Sequence, residues 1–416
     1  MVRRAPVTAV AIAAALVLSG CTAEVEVTPS ASPRPSAPAA SGDGVLRIGT
    51  LLPTSGETAF LSPAQVAGVE LAVREINEAG GVLGAPVEVF HRNSGDASTE
   101  TLEASYAQLV EHGVDVIVGP SSSVLAERLL PLAVADGIAV ISPSATASAL
   151  SDLDDSGLLL RTSPPVSLQG RALAQLLADD DAETVATVTF DDAESAAVTS
   201  VLSEAMGDGA VTLAETFAAD TDAAALAAQI ADSGVDAIVL SSPFAPEVPT
   251  AALLDGLVTS GVPATSLWVT AAGLADYSQA LPAGALEGVR GVLDGREPSE
   301  EFAARVKSMD PGITDARYAA EAYDATVLAA LAATVAEDDG GPSLAYSAID
   351  VSGAGIKCMS FGECLDVLES RPDIDYDGVS GPLALDNSGD PTVAVFRVFT
   401  YGADNRAVPG GDVLVE

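Results

Sequence analysis

The stretch that most constrains this chain is residues 114–146, VDVIVGPSSSVLAERLLPLAVADGIAVISPSAT. Two short β-rich runs, Val114–Val118 and Ile138–Ile141, flank a helical segment of about a dozen residues. Each run ends in small hydroxyl residues: Ser121, Ser122 and Ser123 after the first, Ser142, Ser144 and Thr146 after the second. Strand, loop, helix, strand, loop predicts a parallel βαβ unit. Both loops then leave the carboxyl ends of neighbouring strands, the edge at which open α/β sheets bind ligands. The first cluster also opens a helix, where free backbone N–H groups and the helix dipole favour an anion. With no Lys or Arg between Gly119 and Leu125, the pattern suits a small carboxylate or polar solute better than a polyphosphate. The same serines would also serve as N-caps and turn formers in a chain with no ligand, so spacing alone leaves both readings open.

The N-terminus predicts an address. Arg3 and Arg4 precede a short apolar run, Ala9–Leu18, well below the roughly 20 residues of a spanning helix. The run ends in Leu18-Ser19-Gly20-Cys21, which resembles a bacterial lipobox. On that reading residues 1–20 are a signal peptide and Cys21 carries a diacylglyceryl group; an ordinary secretory signal is the alternative. Residues 21–44, rich in Pro, Ser, Thr and Ala, read as an extended tether.

Two cysteines remain, Cys358 and Cys364. Outside the cytoplasm such a pair closes a small disulfide loop. A metal site is the alternative, with His91 and His112 as the only histidines to complete it, a poor ligand set. The formal net charge of −41 argues against nucleic acid and anionic membrane surfaces as partners, without identifying a ligand.

The folded body alternates strand and helix. Leu46–Phe60 begins with a strand, and Val69, Ala72, Val73 and Ile76 share one face of the helix that follows, with Glu70 and Arg74 expected to pair across its polar side. After Pro164-Pro165 the alternation starts again, which predicts a second α/β domain. Pro382–Tyr401 reads as a hairpin turning at Asn387–Asp390. No nucleophilic triad, Walker loop or GxGxxG after the first strand is present, so no enzyme and no cofactor are expected. Asp373, Asp375, Asp377 and Gly378 mimic half a calcium loop, but position twelve is Ala384 and Pro382 breaks the exiting helix, so no metal is expected.

Several segments together resemble the bacterial branched-chain amino-acid-binding proteins, receptor subunits of ABC importers: IGTLLPTSG, GVELAVREINEAGGVLG, VDVIVGPSSS, VISPSATASAL, LLLRTSP and YDGVSGPLALDNSGD. The resemblance implies the type I periplasmic-binding-protein fold: two Rossmann-like α/β lobes joined by three crossovers, near Ser163, Val292 and Leu383. Lobe 1 would comprise residues 45–162 plus 293–382, and lobe 2 residues 163–292 plus 383–416. In the family a Ser after the third strand and a backbone–Thr pair after the fourth hold the ligand carboxylate. Those positions match Ser123, Ser144 and Thr146, with Ser122 and Ala145 beside them. The second lobe departs from the pattern. Ala272 stands where the family's ammonium-binding carboxylate is expected, Glu194 matches one ligand-stacking aromatic, and the other falls near Pro243 or Phe244. Glu194 or Asp192 would then supply the missing charge, or the solute is an amide or urea-like compound.

The resemblance implies a monomeric receptor on the extracytoplasmic face of the cell membrane, lipid-anchored, that passes a small solute to ABC permease subunits. A sensor that reports a solute to a membrane partner is the alternative.

Overall fold

The computed structural model describes residues 36–416, apart from residues 57, 244–248 and 372. The expected signal peptide, Cys21, most of the tether and Phe244 lie outside the described residues.

Lobe 1 begins with β1 (Arg47–Leu52), α1 (Ser62–Glu78), β2 (Glu88–Asn93), α2 (Thr101–Glu111), β3 (Val116–Val118), α3 (Ser123–Asp136), β4 (Ala139–Ser142) and β5 (Leu159–Arg161). The strands form a parallel sheet in the order β2-β1-β3-β4-β5. Alternate side chains on each strand serve opposite faces. Ile48, Val116, Val118, Ile141 and Leu160 pack on the α1 side, while Leu51, Ile117, Val140 and Leu159 pack against α2 and α3. Covering both faces requires strands that are apolar throughout, which is why the 114–146 stretch reads so clearly.

The chain then crosses to lobe 2. There α4 (Leu168–Asp179), β6 (Val185–Phe190), α5 (Ala193–Met206), β7 (Val211–Phe217), α6 (Ala223–Ala231), β8 (Ala237–Ser241), α7 (Thr250–Thr259), β9 (Leu267–Val269) and β10 (Arg290–Asp294) follow. It returns to lobe 1 for α8 (Glu300–Met309), α9 (Ala319–Ala336), α10 (Gly341–Val351), β11 (Ile356–Cys358), α11 (Phe361–Leu368) and β12 (Ile374–Tyr376). It ends in lobe 2 with β13 (Ala394–Tyr401) and β14 (Ala407–Val415). The seven-stranded sheet of lobe 2 runs β14-β13-β10-β9-β8-β6-β7, with β13 antiparallel to β10 and β14 and the other pairs parallel. A five-stranded and a seven-stranded sheet, with three crossings between them and a small parallel pair β11-β12 in lobe 1, make this the type I periplasmic-binding-protein fold.

Apart from the buried Glu321 and Asp324, helix α9 has no polar face, because nearly all of it is packed. It is long and apolar enough to cross a membrane, yet 83% of it is buried within the protein. Its small residues admit α1 closely: a Cβ on Gly68 would lie 2.2 Å from the Ala319 carbonyl oxygen. Cys358 and Cys364 are joined by a disulfide at the start of α11.

Four expectations need correction. The hairpin at Pro382–Tyr401 is cut short to one antiparallel bridge, Leu385 with Pro391, around a tight turn at Asp386–Asp390, because β13 pairs with β10 and β14 instead. The third crossing comes after Asp390 rather than near Leu383, because Leu383 and Leu385 sit in the lobe 1 core and Asp390 is bound to Arg161. Glu70 does not pair with Arg74 but with His91 Nε2 at 2.6 Å, and Arg74 reaches Glu78 at 4.0 Å. The chain is held before Gly44: the Ser41 and Gly42 amides donate to Asp338 at 3.1 and 2.8 Å, and those of Gly44 and Val45 to Asp339 at 2.9 and 3.1 Å.

Candidate ligand-binding cleft

The lobe 2 strands β10, β9, β8 and β6 are adjacent and parallel, so their carboxyl ends lie along one edge. From that edge come Asp294, then Thr270 to Ala272, then Ser241 to Pro243, then Asp192 and Glu194. Facing them are Thr58, Phe60 and Leu61 before α1, Thr146 after β4, and Arg317 and Tyr318 before α9. Together these residues bound a cleft of about 510 Å³, a volume suited to a small solute. Cavities of similar size open beside α1 and Met309, about 490 Å³, and on the outer side of α4, about 640 Å³. Each of these is lined by residues of one lobe alone.

The lobe 2 wall is acidic. Asp192 caps α5, accepting from the Ser195 amide at 2.8 Å and the Ser195 hydroxyl at 2.9 Å, so both its oxygens are engaged. Partial desolvation, then the charge of Asp192, push the Glu194 carboxyl above the usual carboxylate range, although its side chain still reaches solvent. Asp294 is 5% exposed, and burial raises its carboxyl against the partial help of Arg397, Tyr318 and Arg317. Its Oδ2, and the Oγ of Ser242, are buried with no hydrogen-bond partner among the described residues. Among the described residues the one cationic group lining the cleft is already matched: Arg317 Nε donates to both oxygens of Asp315 at 3.0 and 2.9 Å, and its guanidinium lies 5.0 Å from the centre of the Phe60 ring.

A family profile for periplasmic binding proteins matches residues 45–403. The chain belongs to the periplasmic binding protein family. The resemblance read from its motifs is thereby borne out, and members of this family bind ligands outside the cytoplasm. One relative of this periplasmic binding protein is the chemotactic signal transduction system substrate-binding protein BasB of Halobacterium salinarum, 26% identical over 83% of this chain and 84% of that one. Among solved structures, the branched-chain amino acid transporter substrate-binding protein LivJ of Streptococcus pneumoniae, in complex with isoleucine, superposes with a TM-score of 0.65. It is 20% identical, covering 89% of this chain and 99% of its own. A solute-binding protein of an ABC transporter from R. palustris, in complex with benzoate, gives a TM-score of 0.61 at 21% identity, covering 89% and 96%.

Of the residues expected at the site of this periplasmic binding protein, Thr146, Glu194 and Ala272 line the cleft, as do Asp192 and Pro243. Ser122, Ser123, Ser144 and Ala145 do not border it in this structure. The Ser144 hydroxyl donates to the Ser121 carbonyl at 3.2 Å and accepts from Gln65 Nε2 at 2.9 Å. Ser123 Oγ accepts from the Ala147 amide at 3.1 Å, and the Ala145 carbonyl accepts from Arg161 Nη1 at 3.2 Å. Ser122 precedes α3 as its N-cap without a side-chain hydrogen bond. These groups build the loop that presents Thr146. Sequence reasoning missed Asp294, Ser242, Arg317, Tyr318 and Phe60. A strand-ending Asp in GVLDG was the available signal for Asp294, and a Phe beside a Gly-containing loop in an aromatic-poor chain was the signal for Phe60.

No group of three or more His, Cys, Asp or Glu side chains is placed to hold a metal ion among the described residues. The acidic run that mimics a calcium loop instead meets Lys357, which lies 3.2 Å from Asp375 and 2.8 Å from Asp377.

Proposed function

We propose that this chain is the solute receptor of an ABC importer, held at the cell membrane by a lipid on Cys21, and that it captures a small polar solute of amino-acid, amide or urea type by closing its lobes. The cleft carries this reading. It is lined by Thr146 on one side and by Glu194 and Asp294 on the other. A small zwitterion matches that polarity, its carboxylate toward Thr146 and its ammonium toward lobe 2. The solute would meet one lobe first and favour closure through the extra contacts it gains with the other. The isoleucine complex of a similar fold supports an amino acid, and the benzoate complex keeps aromatic acids in range.

A thermal-shift panel of amino acids, amides, urea and aromatic acids tests the proposal. A true solute at a hundred times its dissociation constant adds about 2.7 kcal/mol of stability. No shift with any small solute overturns it. Release of the Cys21→Ser protein from the membrane fraction tests the anchor.

The second reading is a sensor, favoured by the likeness to a chemotactic binding protein. Under import, a strain lacking the protein stops taking up the solute. Under sensing, uptake persists and the response to the solute is lost.

A further inference from the structure

We infer that Asp294, at the carboxyl end of β10 where the chain leaves lobe 2, binds the positively charged group of the solute, with the Ser242 hydroxyl on the same sheet edge as a second acceptor. The inference rests on the receptor reading and names the chemical class of its ligand: a solute that carries an ammonium group.

Three observations converge on Asp294. It lines the cleft, it is 5% exposed, and its Oδ2 has no partner among the described residues. A buried carboxylate oxygen without a donor carries a desolvation cost, and a bound cation removes it. Ser242, 1% exposed and also cleft-lining, has its Oγ in the same condition. The two residues come from β10 and β8, which flank β9 in the sheet. An ammonium group offers three donors, enough for both acceptors.

The alternatives on the acidic wall are weaker. Ala272 carries no charge, Asp192 has spent both oxygens on Ser195, and Glu194 stands in solvent at the cleft's side. The charged and titratable groups around Asp294 leave its role open. Tyr318, Glu321, Arg317 and Arg397 all act on it or are acted on by it. Arg317 is taken by Asp315, and Arg397 Nη1 donates to Glu297 at 2.8 Å. Burial holds the Asp294 carboxyl above the usual carboxylate range, the condition of a group waiting for a counter-charge. Because Asp294 sits at a crossing, a cation held there lies where the lobes hinge.

The test uses the full-length protein and a panel of amino acids, each paired with the acid of the same skeleton lacking the amino group. Binding is read by thermal shift and calorimetry. The amino-bearing member of a pair should bind in preference, and Asp294→Asn should weaken it about tenfold to a hundredfold. If Asp294→Asn does not fold, the wild-type pair preference and its reduction in Ser242→Ala decide. Equal or tighter binding of the deaminated acids, or of aromatic acids alone, overturns the inference and leaves the receptor reading standing. Full affinity for the amino member in Asp294→Asn also overturns it and moves the charge to Glu194. Silence across the panel beside a shift with an amide or urea overturns the inference and leaves the receptor reading, and silence with those solutes as well removes both.

Discussion

Arg161 and Asp390 meet in the interior, with Arg161 Nε donating to Asp390 Oδ1 at 2.6 Å. The guanidinium is fully buried and the carboxylate nearly so. The pair joins the end of β5, where the chain first leaves lobe 1, to the point where it leaves for the last time. The other guanidinium nitrogens reach the Ala145 and Ala147 carbonyls and Ser151 Oγ, so the same residue fixes the loop that carries Thr146.

Breaking one side of such a pair strands a buried charge, which costs about 3–5 kcal/mol. Asp390→Ala should therefore lower the urea midpoint of unfolding by a large margin. Replacing both partners with apolar residues of similar volume should restore much of the loss. A single variant as stable as the parent would show that the pair contributes nothing.

Glu321 lies among the three crossings, beside Thr162, Gly295 and Pro391, and burial pushes its carboxyl up to about 8. In the unfolded chain the same carboxyl titrates near 4.5. Between those values the folded protein holds a proton that the unfolded chain releases. Stability from this group is full below about pH 4.5 and is lost as pH rises through about 8. Asp115, pushed to about 7 mainly by burial, adds a slope of the same sign. Glu321→Gln should flatten the fall in stability measured by denaturant titration between pH 5 and pH 8. An unchanged slope would place the proton elsewhere.

Much of the fold was legible because its signals were doubled. The strands of the 114–146 stretch are apolar on both faces, and the loops after them end in residues that turn the chain. β14 was not legible: Pro409, Gly410 and Gly411 interrupt it, and only an edge position with a register shift opposite tolerates them. The turn at Asp386–Asp390 looked like a hairpin because local pattern does not reveal which strand a segment pairs with. Thr146, Glu194 and Ala272 reached the cleft through strand ends that sequence can place. Asp294 did not stand out, because one carboxylate among 59 acidic residues is marked only by its burial and its lack of a partner.

The Cys358–Cys364 bridge closes a short loop, with both residues fully buried. Chain entropy for so short a loop gives about 2 kcal/mol. The double Cys→Ser variant should lose about that much stability while keeping its affinity for a solute, since the bridge borders α11 and not the cleft. Denaturant titration with and without reductant, beside calorimetry, separates the two effects. Two free thiols in the unreduced protein would refute the bridge.

Thr146 and Ser123 should differ in effect although both lie on the loops leading to the cleft. Thr146 lines the cavity, whereas Ser123 Oγ accepts from the Ala147 amide, one residue further along. Thr146→Ala should weaken a carboxylate-bearing solute by about 1–3 kcal/mol through the loss of a direct hydrogen bond. Ser123→Ala should act through the loop: the Ala147 amide loses its acceptor, Thr146 is held less firmly, and the affinity falls by a smaller amount. Calorimetry on the solute with the largest thermal shift provides the comparison. A larger loss in Ser123→Ala than in Thr146→Ala would put the Ser123 hydroxyl itself on the ligand, and would mean that closing the lobes brings the start of α3 into the cleft.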